Sequence, residues 1–173
     1  MIFTGEHEHT IDNKQRIAIP SAIRSQLKPE RDGEGFYLVT GPNGALWLWT
    51  ERDFDRIADQ LERSLMPSEE ALDFDEVTFP DATRVELDKV GRIRIPERML
   101  SRSGLGQNVL IIGMRDHLEL RDPAEWEQTR SERETKRREI YSRARRAAQR
   151  ERRDSLDRGE GTPGSSGAGR DRS

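Results

Sequence analysis

The sequence predicts an α+β, strand-rich fold built from two tandem copies of one small unit, and three observations lead there. The nonapeptide Asp12-Asn13-Lys14-Gln15-Arg16-Ile17-Ala18-Ile19-Pro20 returns 76 positions later as Asp88-Lys89-Val90-Gly91-Arg92-Ile93-Arg94-Ile95-Pro96, with five of nine residues identical. The correspondence continues past a single indel, because Gly41, Leu46, Leu48 and Phe54 stand 72 positions before Gly113, Leu118, Leu120 and Trp126. Within both copies apolar and polar residues alternate with the period of two that half-buried strands require. The same order of elements on both sides of one indel favours duplication over chance, and a repeat of this size organises the whole chain.

Each copy reads as strand, tight turn, strand, short helix, strand, turn, strand. Val85 and Leu87 alternate with Glu86, and Ile93 and Ile95 with Arg92 and Arg94, so the arginines face away from the isoleucines. Asp88 is suited to close the turn between these strands through its side chain, and Gly91 supplies a position that tolerates positive φ. Pro20 and Pro96 end the second strands and open short helices over 21–27 and 97–103, since a first helical turn has no use for the missing N–H. Residues 36–40 with 45–49, and 109–113 with 117–121, form the closing strand pairs, the first joined by the turn cluster Gly41-Pro42-Asn43-Gly44. Thr50 with Asp53, and Asp122 with Pro123 and Glu125, mark helix starts. Phe54, Ile57, Ala58, Leu61 and Leu65 make an apolar stripe at helical spacing that is expected to pack on the sheet. The acidic segment 68–76 is expected to hold a further short helix. Beyond Trp126 no apolar residue appears until Ile140, while Glu132/Lys136, Glu134/Arg138 and Glu139/Arg143 place an acid four residues before a base, the stabilising order on a helix. The expected layout is therefore a first repeat over 6–53, a helical linker over 54–81, a second repeat over 82–126, a charged helix over 127–158 and a disordered tail over 159–173.

Composition limits the function. Hydrophobic residues are 32% and charged residues 36% of the chain, so the apolar surface has to be concentrated in few segments. The absence of cysteine removes disulfides, thiolate metal sites and a cysteine nucleophile, and fits a reducing compartment. No secretory pattern opens the sequence and no apolar run is long enough to span a bilayer, which leads to the expectation of a soluble, cytoplasmic protein with no membrane association. The net charge of −3 hides opposite halves: residues 1–129 hold 16 basic against 25 acidic side chains, and residues 130–158 hold 12 against 6. A nucleic-acid partner must therefore be met by local positive surfaces on an acidic body. There is no phosphate-binding glycine loop, nucleophile elbow or facing acid/base pair, so the expectation is no enzyme, no cofactor and no small-molecule substrate.

The duplicated turn, Asp-x-Lys-x-Arg in one copy and Asp-Lys-x-Gly-Arg in the other, each followed by Ile-x-Ile-Pro, resembles the MraZ family of bacterial regulators, whose halves are related to the AbrB-type DNA-binding domain. The resemblance covers about residues 1–128, including Phe3-x-Gly5-Glu6 and Val85-Glu86-Leu87-Asp88-Lys89. It implies two tandem swapped-hairpin AbrB-like half-barrels forming one pseudo-two-fold domain, with flanking helices and a long charged C-terminal helix and tail. It also implies a ring-like homo-oligomer, nucleoid-associated, that binds double-stranded DNA at repeated promoter motifs upstream of cell-division and cell-wall genes, mainly as a repressor. Carried over by position, Lys14 and Arg16 in the first copy, and Lys89 and Arg92 in the second, match the basic turn. Gln15 stands where the family usually has glycine, which predicts a distorted first turn, and the basic stretch after residue 130 lies outside the family's core.

Two readings stand for the candidate residues. Arg16, Arg92 and Arg94 are either a solvated strand face or the contacts of a two-stranded ribbon in the major groove, where an arginine can donate two hydrogen bonds to guanine. Lys14 and Lys89, at the turns, suit phosphates. Asp12 and Asp88, at matched positions, suit turn closure rather than catalysis. His7 and His9 lie two apart with no third ligand of suitable spacing, so no metal site is expected, and His117 is isolated in sequence. Trp47 and Trp49 face away from Leu46 and Leu48, to be covered either by the helix after residue 50 or by a neighbouring subunit. The basic run over 136–153 is either a helix held by internal ion pairs or a source of non-specific attraction to nucleic acid.

Overall fold

The computed structural model describes residues 2–61 and 64–159, with side chains through Arg153. The chain divides into two compact units, Met1–Glu127 and Gln128–Ser173. The first unit contains the strands β1 (Glu6–Thr10), β2 (Arg16–Ala18), β3 (Gly35–Thr40), β4 (Leu46–Thr50), β5 (Thr83–Glu86), β6 (Arg92–Arg94), β7 (Asn108–Gly113) and β8 (Leu118–Arg121). Its helices are α1 (Ser21–Arg24), α2 (Pro29–Asp32), α3 (Glu51–Gln60), α4 (Glu69–Thr78) and α5 (Glu97–Ser103), together with the opening turn of α6 (Pro123–Thr135). The second unit contains the rest of α6 and α7 (Arg137–Gly159). The α+β, strand-rich class holds.

The strands of the two copies interleave. Six of them form one antiparallel sheet in the order β1-β7-β8-β4-β3-β5, and the other two, β2 and β6, pair with each other alone. Thus β1 finds its partner in the second copy at β7, and β5 finds its partner in the first at β3. Two registers show the internal symmetry. Ile17 lies opposite Ile93, its equivalent 76 positions on, and Trp47 lies opposite Glu119, its equivalent 72 positions on. A pseudo-two-fold axis therefore relates the halves at both places.

Period two then fixes what is inside. Ile17, Ile93, Leu38, Leu46, Leu48 and Leu120 have no measurable exposure, and all belong to one cluster fed by both copies. Each such side chain contributes about 1.5–3 kcal/mol by leaving water. Neither copy alone could enclose them.

Several elements depart from the expectations. The helix expected over 21–27 stops at Arg24, because Lys28 precedes Pro29 and is held extended at φ −126° and ψ 115°. The extra residues of the first copy's longer loop form α2, where the sequence pattern predicts only loop. By contrast, α5 runs to Ser103 and ends on Gly104 in the left-handed region at φ 66°. Helix α3 starts on Thr50, whose hydroxyl accepts from the Asp53 amide, but ends at Gln60, where Leu61 turns extended at ψ 138°. Leu65 is consequently outside the helix and fully exposed, so the apolar stripe stops short of it. Phe54 does pack on the sheet, stacked on Tyr37 with ring centroids 4.4 Å apart. The acidic segment is helical as α4, capped by Ser68, but none of its residues is buried. The charged segment is two helices, α6 and α7, separated at Lys136. The tail expected over 159–173 lies, apart from Gly159, outside the described residues.

Candidate nucleic-acid interface

The β2–β6 ribbon brings the predicted arginines together. Cross-strand partners in an antiparallel pair share a face, and the registers Arg16↔Arg94 and Ala18↔Arg92 put all three arginines on the side opposite Ile17 and Ile93. The isoleucines sink into the core and so hold the ribbon against the body with its cationic side outward. Two further backbone bonds extend the ribbon, one at each end: the Gln15 carbonyl accepts from the Ile95 amide at 2.9 Å, and the Gly91 carbonyl from the Ile19 amide at 3.0 Å. Because the strands are antiparallel, the turns carrying Lys14 and Lys89 sit at opposite ends of this ribbon. Both lysines are exposed.

The two turns are chemical copies of each other. Asp12 Oδ1 accepts from the amides of Lys14 and Arg16, both at 2.9 Å, and Asp88 Oδ1 accepts from the amides of Val90 and Arg92 at 3.0 and 2.9 Å. The second oxygen of each carboxylate takes the arginine of the same turn: Asp12 Oδ2 lies 2.9 Å from Arg16 Nε and 2.7 Å from Nη2, and Asp88 Oδ2 lies 2.8 Å from both atoms of Arg92. The Arg16 guanidinium and the donated amides hold the Asp12 carboxyl at about 2. Asp88 is also held below the ordinary carboxylate range, by the Arg92 amide above all. Asp12 in return raises Arg16.

These ion pairs are at the surface. The side chains of Arg16 and Arg92 keep 29% and 33% of their exposure, and the carboxylate engages only the Nε–Nη2 edge of each guanidinium. The Nη1 group and the outer Nη2 hydrogen remain to donate elsewhere, in the fixed fork that suits a guanine or a phosphate. Arg94 is exposed and has no ion pair among the described residues.

The expected distortion of the first turn is absent. Gln15 adopts φ 62°, matching Gly91 at φ 81°, and the closing bonds agree: the Asp12 carbonyl accepts from the Gln15 amide at 2.9 Å and the Asp88 carbonyl from the Gly91 amide at 2.8 Å. Seven backbone and carboxylate bonds over-determine the loop, so it imposes the left-handed conformation on a residue that disfavours it. Sequence reasoning missed Arg24, whose side chain lies against Gly91 and whose Nε donates to the Ile19 carbonyl at 3.0 Å. Its equivalent in the second copy is Leu100, so nothing in the repeat pointed to a cation there.

Trp47 and Trp49 lie on the outer face of the six-stranded sheet, half-buried, with the His117 ring 4.2 Å and 4.5 Å from theirs. His117, isolated in sequence, thus joins the two copies. Its Nδ1 lies 2.7 Å from Asp116 Oδ1, and its Nε2 lies 3.6 Å from Glu119 Oε1. Glu119 and Arg121 are buried beside it, 3.6 Å apart, with Arg121 paired to Glu125 and set over the Trp126 ring at 5.3 Å. Helix α3 meets Tyr37 through Phe54. The tryptophans instead meet the second copy's histidine.

His7 and His9 occupy β1, and burial with the proximity of His7 lowers His9. Among the described residues no group of three or more His, Cys, Asp or Glu side chains is placed to hold a metal, and no helix is long and apolar enough to cross a membrane.

Comparison with known proteins places this architecture. The family model described as "MraZ protein, putative antitoxin-like" matches residues 2–75 and again 78–150. The chain belongs to the MraZ family. The two matched segments begin 76 residues apart, the spacing of the repeated nonapeptide. Among similar proteins is the "Transcriptional regulator MraZ" of Alkaliphilus metalliredigens, 32% identical over 127 residues, which cover 73% of this chain and 85% of the relative. Its namesake in Alkaliphilus oremlandii is 31% identical over 76% of this chain and 88% of its own length. The one in an Arthrobacter strain is 30% identical over 78% and 91%. MraZ relatives are thus named as regulators of transcription, a non-enzymatic role.

Proposed function

We propose that this chain is a sequence-specific DNA-binding transcription regulator that reads duplex DNA with the β2–β6 ribbon. The observation that carries the proposal is the convergence of Arg16, Arg92 and Arg94, drawn from both copies, on the free side of one two-stranded ribbon. Such a ribbon fits the major groove. Arg94 and the outer edges of Arg16 and Arg92 are the base-reading groups, Asp12 and Asp88 orient the two arginines that they hold, and Lys14 and Lys89 take phosphates at the ends. The five cations outnumber the two carboxylates, which makes this a local positive surface on an acidic unit.

The proposal extends to the target that the family suggests: repeated motifs upstream of cell-division and cell-wall genes, repressed by a ring-like homo-oligomer on the nucleoid. Half-buried Trp47 and Trp49 on an outer sheet face support a subunit contact there, since aromatic residues commonly anchor such interfaces. The competing reading, a nucleic-acid or protein-partner module without promoter preference, draws on the engagement of Arg16 and Arg92 by their own aspartates.

Footprinting and gel shifts on the promoter of the neighbouring gene cluster decide between them. Wild type is expected to prefer the promoter repeats over a scrambled duplex, and Arg16→Ala or Arg94→Ala to lose about 1–3 kcal/mol on the repeats alone. Equal affinity of wild type for both duplexes would overturn sequence-specific reading.

A further inference from the structure

Helix α7 carries a surface that the ribbon does not use. At about 100° per residue, Arg138, Arg145, Arg146, Arg150 and Arg153 share one side of it, and Ile140, Ala144, Ala147 and Ala148 share the other. Among the described residues the one acid of α7 on that side is engaged, since Glu139 lies 3.7 Å from Arg143, and Glu134, near the end of α6, lies 2.8 Å from Arg137. The five arginines make no ion pair among the described residues, and all are exposed. For Arg145 and Arg146 the sequence explains this, because no acid stands three or four positions away on either side.

We propose that this arginine face is a second DNA-binding element, docking along the phosphate backbone of the duplex. The inference rests on the DNA-binding reading of the ribbon. From Arg138 to Arg153 the face spans roughly 22 Å at the rise of an α-helix, on the order of six base pairs of duplex. Like charges at this density repel one another along the helix, and a polyanion relieves that repulsion while releasing its own condensed counterions. The first 129 residues carry 16 basic against 25 acidic groups, so the body as a whole repels DNA and a separate cationic arm offsets that. An anionic membrane surface fits less well: a helix lying in a bilayer interface needs a broad face of large apolar residues, and the far side of α7 is mostly alanine.

The test uses the full chain with Arg145, Arg146, Arg150 and Arg153 replaced together by glutamine, and a second variant with the same four replaced by lysine. Binding is measured over a salt series to a duplex that flanks the promoter repeat on both sides, and to a scrambled duplex of equal length. The glutamine variant is expected to bind both at least tenfold more weakly at low salt. Its slope of log affinity against log salt should be shallower by about three to four, near 0.9 per lost phosphate contact, with the ratio between the duplexes preserved. The lysine variant should recover the wild-type slope. A slope unchanged in the glutamine variant, failure of lysine to restore it, or tighter binding of wild type to anionic vesicles than to duplex overturns the inference. If wild type binds but shows no preference between duplexes, the ribbon reading fails while a salt-slope change still supports the helix.

Discussion

Gln15 and Gly91 hold the same left-handed position in the two turns, at φ 62° and 81°, and each lends its carbonyl to an isoleucine amide of the other copy. A side chain at such a position costs about 1–2 kcal/mol relative to glycine, partly offset by the greater freedom that glycine gives the unfolded chain. Gln15→Gly is therefore expected to stabilise the protein by up to about 1 kcal/mol in urea unfolding. Gly91→Gln should destabilise it by about 1–2 kcal/mol, because a Cβ there also runs into Arg24.

The Asp12–Arg16 pair makes an acid-titration prediction. The folded Asp12 carboxyl, at about 2, lies below its ordinary value of 3.8, so its contribution to stability is present above pH 4 and is lost as pH falls toward 2. Carboxyl NMR on wild type should show that low midpoint. In Arg16→Ala the midpoint should move up toward the ordinary value, though the backbone amides from Lys14 and residue 16 still hold it down in part. An unmoved midpoint would mean that the guanidinium is not what holds the carboxylate.

Asp12→Asn and Asp88→Asn keep the turn-closing oxygen but release the guanidinium from its charged partner. The double variant adds two units of positive charge, so its affinity for a scrambled duplex should rise, while its preference for the promoter repeat should fall by severalfold because Arg16 and Arg92 lose their fixed orientation. Competition gel shifts read both quantities. A preserved preference would show that the aspartates serve the fold alone.

Ile93 sits opposite Ile17 under the ribbon with no exposure. Truncation to alanine should cost about 2–5 kcal/mol, and Ile93→Val about 0.5–1.5 kcal/mol. Thermal melts measure both, and only the valine variant is expected to keep wild-type DNA preference.

On the outer sheet face, Trp49→Glu should reduce the mass measured by light scattering if Trp49 lies between subunits. His117→Ala removes two ring contacts and should lower stability by about 1–3 kcal/mol. A Trp49→Glu protein of wild-type mass would place the subunit contact elsewhere.

Much of the fold was legible because the repeat and the alternation are local properties of the chain. Ile17, Ile19, Ile93 and Ile95 announced an inner face, Arg16, Arg92 and Arg94 an outer one, and the paired aspartates their turns. Alternation says which face a residue takes but not which strand it lies beside, so the pairing of β1 with β7 and of β2 with β6 could not be read. The same gap hid the His117 ring against Trp47 and Trp49, which depends on the pairing of β4 with β8; the bond of each Asp to its own turn's arginine is local, but alternation assigns a face and not a side-chain partner. Leu65 misled for another reason: helical spacing persists in the sequence after the backbone has left the helix at Leu61. Gln15 misled because its own preference is weaker than the bonds that surround it.

Fusing the two halves into one polypeptide has a consequence for the shape of what is read. A pair of identical chains would be bound to present the same side chain at both ends of the ribbon, and a palindromic site would suit it best. Here Arg94 sits beside Arg16 where the mate of that position, Ala18, sits beside Arg92. One end of the ribbon holds two guanidiniums and the other holds one, so on the proposed DNA-reading role the best-fitting duplex would have a polarity, and a repeated motif would fix which way round the protein lies.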